Sequence, residues 1–199
     1  MLITAVEPRR RSMSALYIDG EFAMKLDTMT LLENGVKAGK EITDEELHQL
    51  IQKSEIRRAK ERALNLITYR DHSKKELADK IRRDCSPEVA EQTAQQMEEL
   101  GLVNDENFAM DYANQLLRKK HLSPRGIRYK LKEKGIADHL IEKIIDTLEY
   151  DPYEEIMAIL DKKYPNYNQD EKIKRRAISA LQRLGWSWGD IRNAINTEI

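Results

Sequence analysis

From about Ser54 onward, apolar residues fall at helical spacing, and the same pattern returns every fifty residues. Leu77 with Ile81, Ile127 with Leu131, and Ala177 with Leu181 are pairs four residues apart, which places each pair on one face of a helix. Cys85, Gly135 and Gly185 stand four residues beyond each pair, where a helix wants to stop. The spacing predicts one small helical unit used three times. Units of this size bury too little surface alone, so stacked copies are expected to form an elongated, curved array that offers a long face to another macromolecule.

The first forty residues differ in kind. Ser14 to Lys25 alternates around Asp19-Gly20, a hairpin signal, and Leu2 to Val6 is a candidate third strand. Thr43 and Glu46 have capping-box spacing and open a helix through Leu47, Leu50 and Ile51. The first three-helix unit then reads as Glu55 to Tyr69, a short helix begun by Ser73 and Glu76, and a third from Ser86-Pro87 to Gly101. In the second unit, helices start at Asn104-Asp105, at Ser123-Pro124 and near Ala137. The third unit runs from Pro152 to Lys163, from about Gln169 to Leu184, and through Trp188, Ile191 and Ile195. Its middle helix has Ile173 where the others have Ser73 and Ser123, a drift expected of a terminal repeat. The expected fold is mainly α: an N-terminal β-hairpin module plus helix over residues 1–54, then three-helix repeats over 55–103, 104–150 and 151–199.

Charge is abundant but balanced, with 34 Lys and Arg against 35 Asp and Glu among 199 residues. The balance hides segregation by element. Lys74 to Asp84 and Arg118 to Lys134 are mostly basic, Glu88 to Asp111 is purely acidic, and Asp138 to Asp161 is acidic except for Lys143. Lys172, Lys174, Arg175 and Arg176 form the next basic cluster. Two explanations stand side by side: the basic middle helices attract the acidic third helices within the molecule, or they align as a basic strip for a partner. On the second, the candidate partner-binding residues are Lys75, Arg82, Arg83, Arg118, Lys119, Arg125, Arg128, Lys132, Arg175 and Arg176.

Candidate chemistry is sparse. His48, His72, His121 and His139 have no second His or Cys at ligand spacing, so no metal site is expected. Gly-rich phosphate cradles and a Gly-x-Ser-x-Gly elbow are missing, and neither catalytic residues nor a cofactor are expected. Trp186 and Trp188 read as core plugs rather than base-stacking residues. The single cysteine, Cys85, rules out an internal disulfide and reads as an ordinary thiol in a reducing compartment. No apolar run is long enough to span a bilayer and Met1 to Pro8 lacks a signal-peptide core, so a cytoplasmic, monomeric, non-enzymatic protein with no membrane partner is expected.

Ala63-Leu64, Arg70, Ser73, Glu76-Leu77 and Lys80-Ile81, then Asp105, Phe108-Ala109, Tyr112, Gly126-Ile127, Leu131 and Lys134-Gly135-Ile136, together resemble the RecX family of recombination regulators. The likeness runs from about Glu55 to the C-terminus and departs from the family pattern at Cys85 and Ile173. It implies a protein that binds the RecA recombinase and its filament on single-stranded DNA, and impairs filament growth, ATP turnover and strand exchange. Some members are thought to bind DNA directly. The rival reading is therefore a direct DNA-binding protein of tandem helix-turn-helix-like units, and the third is a scaffold for some other oligomer.

Overall fold

The structure, a computed structural model, describes residues 1–196, and its chain divides into two compact units between Val103 and Asn104. The first unit begins with β1 (Ile3–Pro8), β2 (Met13–Ile18) and β3 (Glu21–Asp27), an antiparallel sheet in that order. Asp19 (φ 50°) and Gly20 (φ 87°) are both left-handed, as a tight hairpin turn with the twist of its strands requires. The candidate third strand is thus β1, and the hairpin module is a three-stranded sheet. Ile3, Leu16 and Leu26 from the sheet are buried with Leu31, Val36, Ile42 and Leu50.

Two helices back the sheet. A short helix, α1 (Thr28–Glu33), has no counterpart among the expected elements, because six residues carry too little periodicity to register. Its only local signal is Asp27, whose buried carboxylate accepts from the Thr30 amide and hydroxyl. The second helix, α2 (Asp44–Tyr69), is unbroken over 26 residues and opens on a complete Thr43/Glu46 capping box. The boundary expected at Ser54/Glu55 therefore falls inside one continuous helix. Its first half buries Leu50 under the sheet, while Ala59 and Ala63 in its second half belong to the first repeat's core. Ser54 locks the join: it is buried, and its hydroxyl accepts from the Asp27 amide at 2.7 Å.

The repeats follow. The first is completed by α3 (Lys74–Ile81) and α4 (Pro87–Glu99), the second is α5 (Asp105–Lys120), α6 (Pro124–Glu133) and α7 (Asp138–Thr147), and the third is α8 (Pro152–Lys163), α9 (Glu171–Arg183) and α10 (Trp188–Asn196). The fifty-residue pairs are the hinge of each core: Leu77, Ile81, Ile127, Leu131, Ala177 and Leu181 are all fully buried. The equivalence at 85, 135 and 185 is incomplete. Gly135 (φ 78°) and Gly185 (φ 93°) take the left-handed position, but Cys85 does not, and α3 ends earlier through a right-handed turn at Arg82. The burial that Cys85 gains there, with Glu55 and Asp84 nearby, raises its thiol pKa and keeps it protonated. At Ile173 the missing serine is replaced upstream. Asp170 caps α9 by accepting from the Lys172 and Ile173 amides, which adds a turn to the start of the helix.

One buried histidine gives a testable pH effect. His72 precedes the Ser73 cap of α3, and its Nδ1–H donates to the Arg70 carbonyl at 2.7 Å while Nε2 is buried with no hydrogen-bond partner among the described residues. Burial lowers its pKa below the ordinary value, against a smaller upward effect of the Arg70 hydrogen bond. Because the unfolded chain takes up the proton first, stability is held above about pH 6.5 and lost as pH falls below it. Leu122 occupies the corresponding place in the second repeat and is buried. Denaturant unfolding of His72→Leu, followed by helical circular dichroism, should therefore lose less stability than the parent between pH 7.5 and pH 5.5.

Candidate interaction surface

The middle helices carry the candidate residues, and their amphipathic spacing decides what each presents. In α6, Ile127 and Leu131 point into the core, so Arg125, Tyr129 and Lys132 are exposed. In α9, Ala177 and Leu181 are buried and Arg175, Arg176, Ser179 and Arg183 are exposed. The fifty-residue register then singles out one position. Lys75, Arg125 and Arg175 are equivalent, all basic and all exposed.

At least five of the ten candidates are engaged within the molecule, Lys75 among them. Arg82 reaches Glu91 of α4 at 3.3 Å, Lys132 reaches Asp138 of α7 at 2.9 Å, Arg128 pairs with Glu142 of α7, and Arg175 lies 3.4 Å from Glu171. The first three join a basic middle helix to the acidic helix after it, as the intramolecular reading of the charge bands requires. Arg128 spans both environments: its Nε is buried without a hydrogen-bond partner among the described residues, while the side chain as a whole stays 39% exposed and its terminal nitrogen pairs with Glu142. Lys130 is also occupied, donating to Glu133 at 2.7 Å, a bond that raises the lysine pKa and lowers that of the carboxyl. Arg118 and Lys119 sit exposed in the last turn of α5, where positive charge complements the helix C-terminus. Arg83, Arg118, Lys119, Arg125 and Arg176 have no ion-pair partner among the described residues.

Within the second unit the two middle helices meet end to end. The Ser123 amide donates to the Leu184 carbonyl at 3.1 Å, so the start of α6 abuts the end of α9. A Cβ at Gly126 would stand 2.5 Å from that carbonyl, and one at Gly185 would stand 2.8 Å from the Gly126 nitrogen. Both glycines are needed for the approach. Trp186 is buried beside them and donates Nε1–H to the His121 carbonyl at 3.0 Å, while the His121 ring contacts Glu155 at 2.5 Å. Trp186 is the core plug expected of it. Trp188 is not, being 56 % exposed.

Along α9, Lys172, Arg176, Ser179 and Arg183 follow the i, i+4, i+7, i+11 spacing of a single helical stripe. With Tyr164, Arg175 and the carboxylate of Glu171 they line an open concavity of about 700 Å³. Lys172 and Arg183 were absent from the candidate set, although this spacing is visible in the sequence. Four cations against the single carboxylate of Glu171, which pairs with Arg175, leave the concavity net positive and suited to anionic groups. Among the described residues there is no group of three or more His, Cys, Asp or Glu that could hold a metal, and no helix is long and apolar enough to cross a membrane.

Comparison with known proteins places these elements in a family. Residues 59–97, 104–144 and 149–195 match the models of the first, second and third three-helix domains of RecX. The chain is 30% identical over 202 residues to the regulatory protein RecX of Caldanaerobacter subterraneus subsp. tengcongensis, covering 98% of this chain and 99% of that one. It is 26% identical to the regulatory protein RecX of Bacillus subtilis, covering 91% of this chain and 70% of the relative. A crystal structure of regulatory protein RecX superposes with a TM-score of 0.63 at 20% identity over 98% of both chains, and RecX from Lactobacillus salivarius with 0.58 at 24% over 72% of this chain and 96% of that one. At those identities the superpositions speak for the fold.

Proposed function

The chain belongs to the RecX family of regulatory proteins, and from that premise we propose that it binds the RecA recombinase and its filament on single-stranded DNA, restraining filament growth and ATP hydrolysis. The observation that carries this reading is the basic register Lys75, Arg125 and Arg175, repeated once per three-helix unit on exposed helix faces. A partner that is itself a repeating polymer suits a repeated contact. Modest interactions then add through effective concentration when the spacing of units matches that of subunits. The α9 concavity extends the same charge with Lys172, Arg176 and Arg183.

The reading is tested by the DNA-dependent ATPase of RecA titrated with the full chain. Falling turnover at sub-stoichiometric protein supports it, and unchanged turnover at saturating protein contradicts it. The α9 stripe also suits the second reading, direct DNA binding. A direct binder retains short DNA without recombinase, with affinity that drops steeply as salt rises.

A further inference from the structure

A run of consecutive arginines lies outside the middle helices, in the N-terminal sheet. Arg9, Arg10 and Arg11 are consecutive in the turn between β1 and β2, and all three are exposed. Arg11 (φ 61°) and Ser12 (φ 55°) are both left-handed, a conformation that residues bearing a Cβ rarely adopt and that glycine or asparagine would fill more easily. The turn is nonetheless held from both sides. The Arg9 amide donates to the Met13 carbonyl at 2.7 Å, the Thr28 amide donates to the Ser12 carbonyl at 2.8 Å, and the Ser14 and Thr28 hydroxyls bond at 2.9 Å. The Arg9 guanidinium is braced by Glu7 and by the Tyr17 hydroxyl at 3.2 Å. Arg10 and Arg11 have no ion-pair partner among the described residues. Strained backbone that its surroundings fix in place is found where a side chain must be presented in one orientation.

We propose that this arginine-bearing hairpin tip is a contact for the phosphate backbone of duplex DNA. Three features choose that ligand. Guanidinium groups match phosphate oxygens bidentately. No apolar residue lies between Arg9 and Ser12, so the tip lacks the buried anchor on which a protein interface depends. The ring that reaches the tip, Tyr17, is half-buried, packed edge-on against Phe22 and tied through its hydroxyl to Arg9, so it offers no free platform on which a single strand would stack. An exposed turn at the corner of the three-stranded sheet, with its backbone held and its cations on one short segment, suits the regular array of phosphates along a duplex. The site is independent of the recombinase reading, since its test contains no recombinase.

The experiment is fluorescence anisotropy of a short labelled duplex, and of the matching single strand, with the full chain at graded salt. Arg10→Ala with Arg11→Ala should weaken duplex binding about tenfold or more and flatten the plot of log affinity against log salt by about 1.8, the signature of two lost phosphate contacts. Removing the same charge at Lys162 and Lys163 should change affinity less than twofold. Arg11→Gly keeps the fold testable: it removes one guanidinium and relieves the left-handed residue, so it should bind more weakly while melting no lower than the parent. The proposal is overturned by parental duplex affinity in the double arginine variant, by an equal loss at Lys162 and Lys163, by tighter binding of the single strand than of the duplex, or by no duplex binding at low salt in the parent.

Discussion

Gly185→Ala should cost the second unit about 3 kcal/mol, the sum of a left-handed residue forced to carry a Cβ and of overpacking against a neighbouring backbone. At Gly185 the backbone φ is 93°, and the added carbon would press on the Ser123 hydroxyl and stand 2.8 Å from the Gly126 nitrogen. Neither neighbour yields easily, because the Ser123 hydroxyl caps α6 by accepting from the Gly126 amide at 3.2 Å. Relief would require α6 to move away from Leu184 and break the backbone bond between them. Both tryptophans lie in this unit, so intrinsic tryptophan emission follows its melting alone. A fall of about 10–20 °C in that transition is expected for a unit of this size. Gly101→Ala, which lies in the first unit and is therefore followed by helical circular dichroism rather than tryptophan emission, is the comparison. Gly101 is also left-handed (φ 71°) but has open space around it, so strain acts alone and the cost should be about 1 kcal/mol. Equal costs at the two glycines would show that the close approach of the repeats contributes nothing.

Reversing the repeated register, with Lys75→Glu, Arg125→Glu and Arg175→Glu together, should raise the concentration needed for half-inhibition of recombinase ATPase about a hundredfold. Three lost charge contacts at about 1 kcal/mol each give a change of that order. The three side chains are exposed, so helical content and melting should remain near those of the parent. This choice follows from the ion pairs. Arg175 pairs with Glu171 one turn away on the same helix, an exposed contact worth some tenths of a kcal/mol, so reversing it leaves the packing between helices intact. Arg128→Glu would set a carboxylate against Glu142, and Lys132→Glu would do the same against Asp138, so those changes strike the α6–α7 contact and mix stability with binding. Unaltered inhibition by the triple variant, with the fold intact, would remove this register from the proposed interface.

Much of the helical architecture was legible because its core positions are periodic. The fifty-residue pairs are buried as expected, and Gly135 and Gly185 end their helices in the left-handed conformation. What was not legible depended on particular replacements. Asp170 does for α9 what a serine at 173 would have done, and α3 stops without a glycine, so identical spacing conceals different helix ends. The join at Ser54 was hidden because a continuous helix serving two cores shows no punctuation; only the bond to Asp27, far away in sequence, marks the crossing. The charge bands were visible, but their division was not. Whether Arg128 faces a partner or Glu142 depends on the distance between two helices, which periodicity along either one does not encode. The strained arginine tip carries no sequence signal for a related reason: Arg-Ser is not a turn signature, and the tip is held by its bonds to Met13 and Thr28.

We propose that this chain recognises the assembled recombinase filament rather than its separate components. Co-sedimentation of the full chain with RecA filaments on single-stranded DNA, with free RecA and with bare single-stranded DNA tests it most directly. The expected result is near-stoichiometric recovery with filament at physiological salt and much weaker recovery with either component alone. Equal recovery with bare single-stranded DNA, or none with filament, would contradict the account.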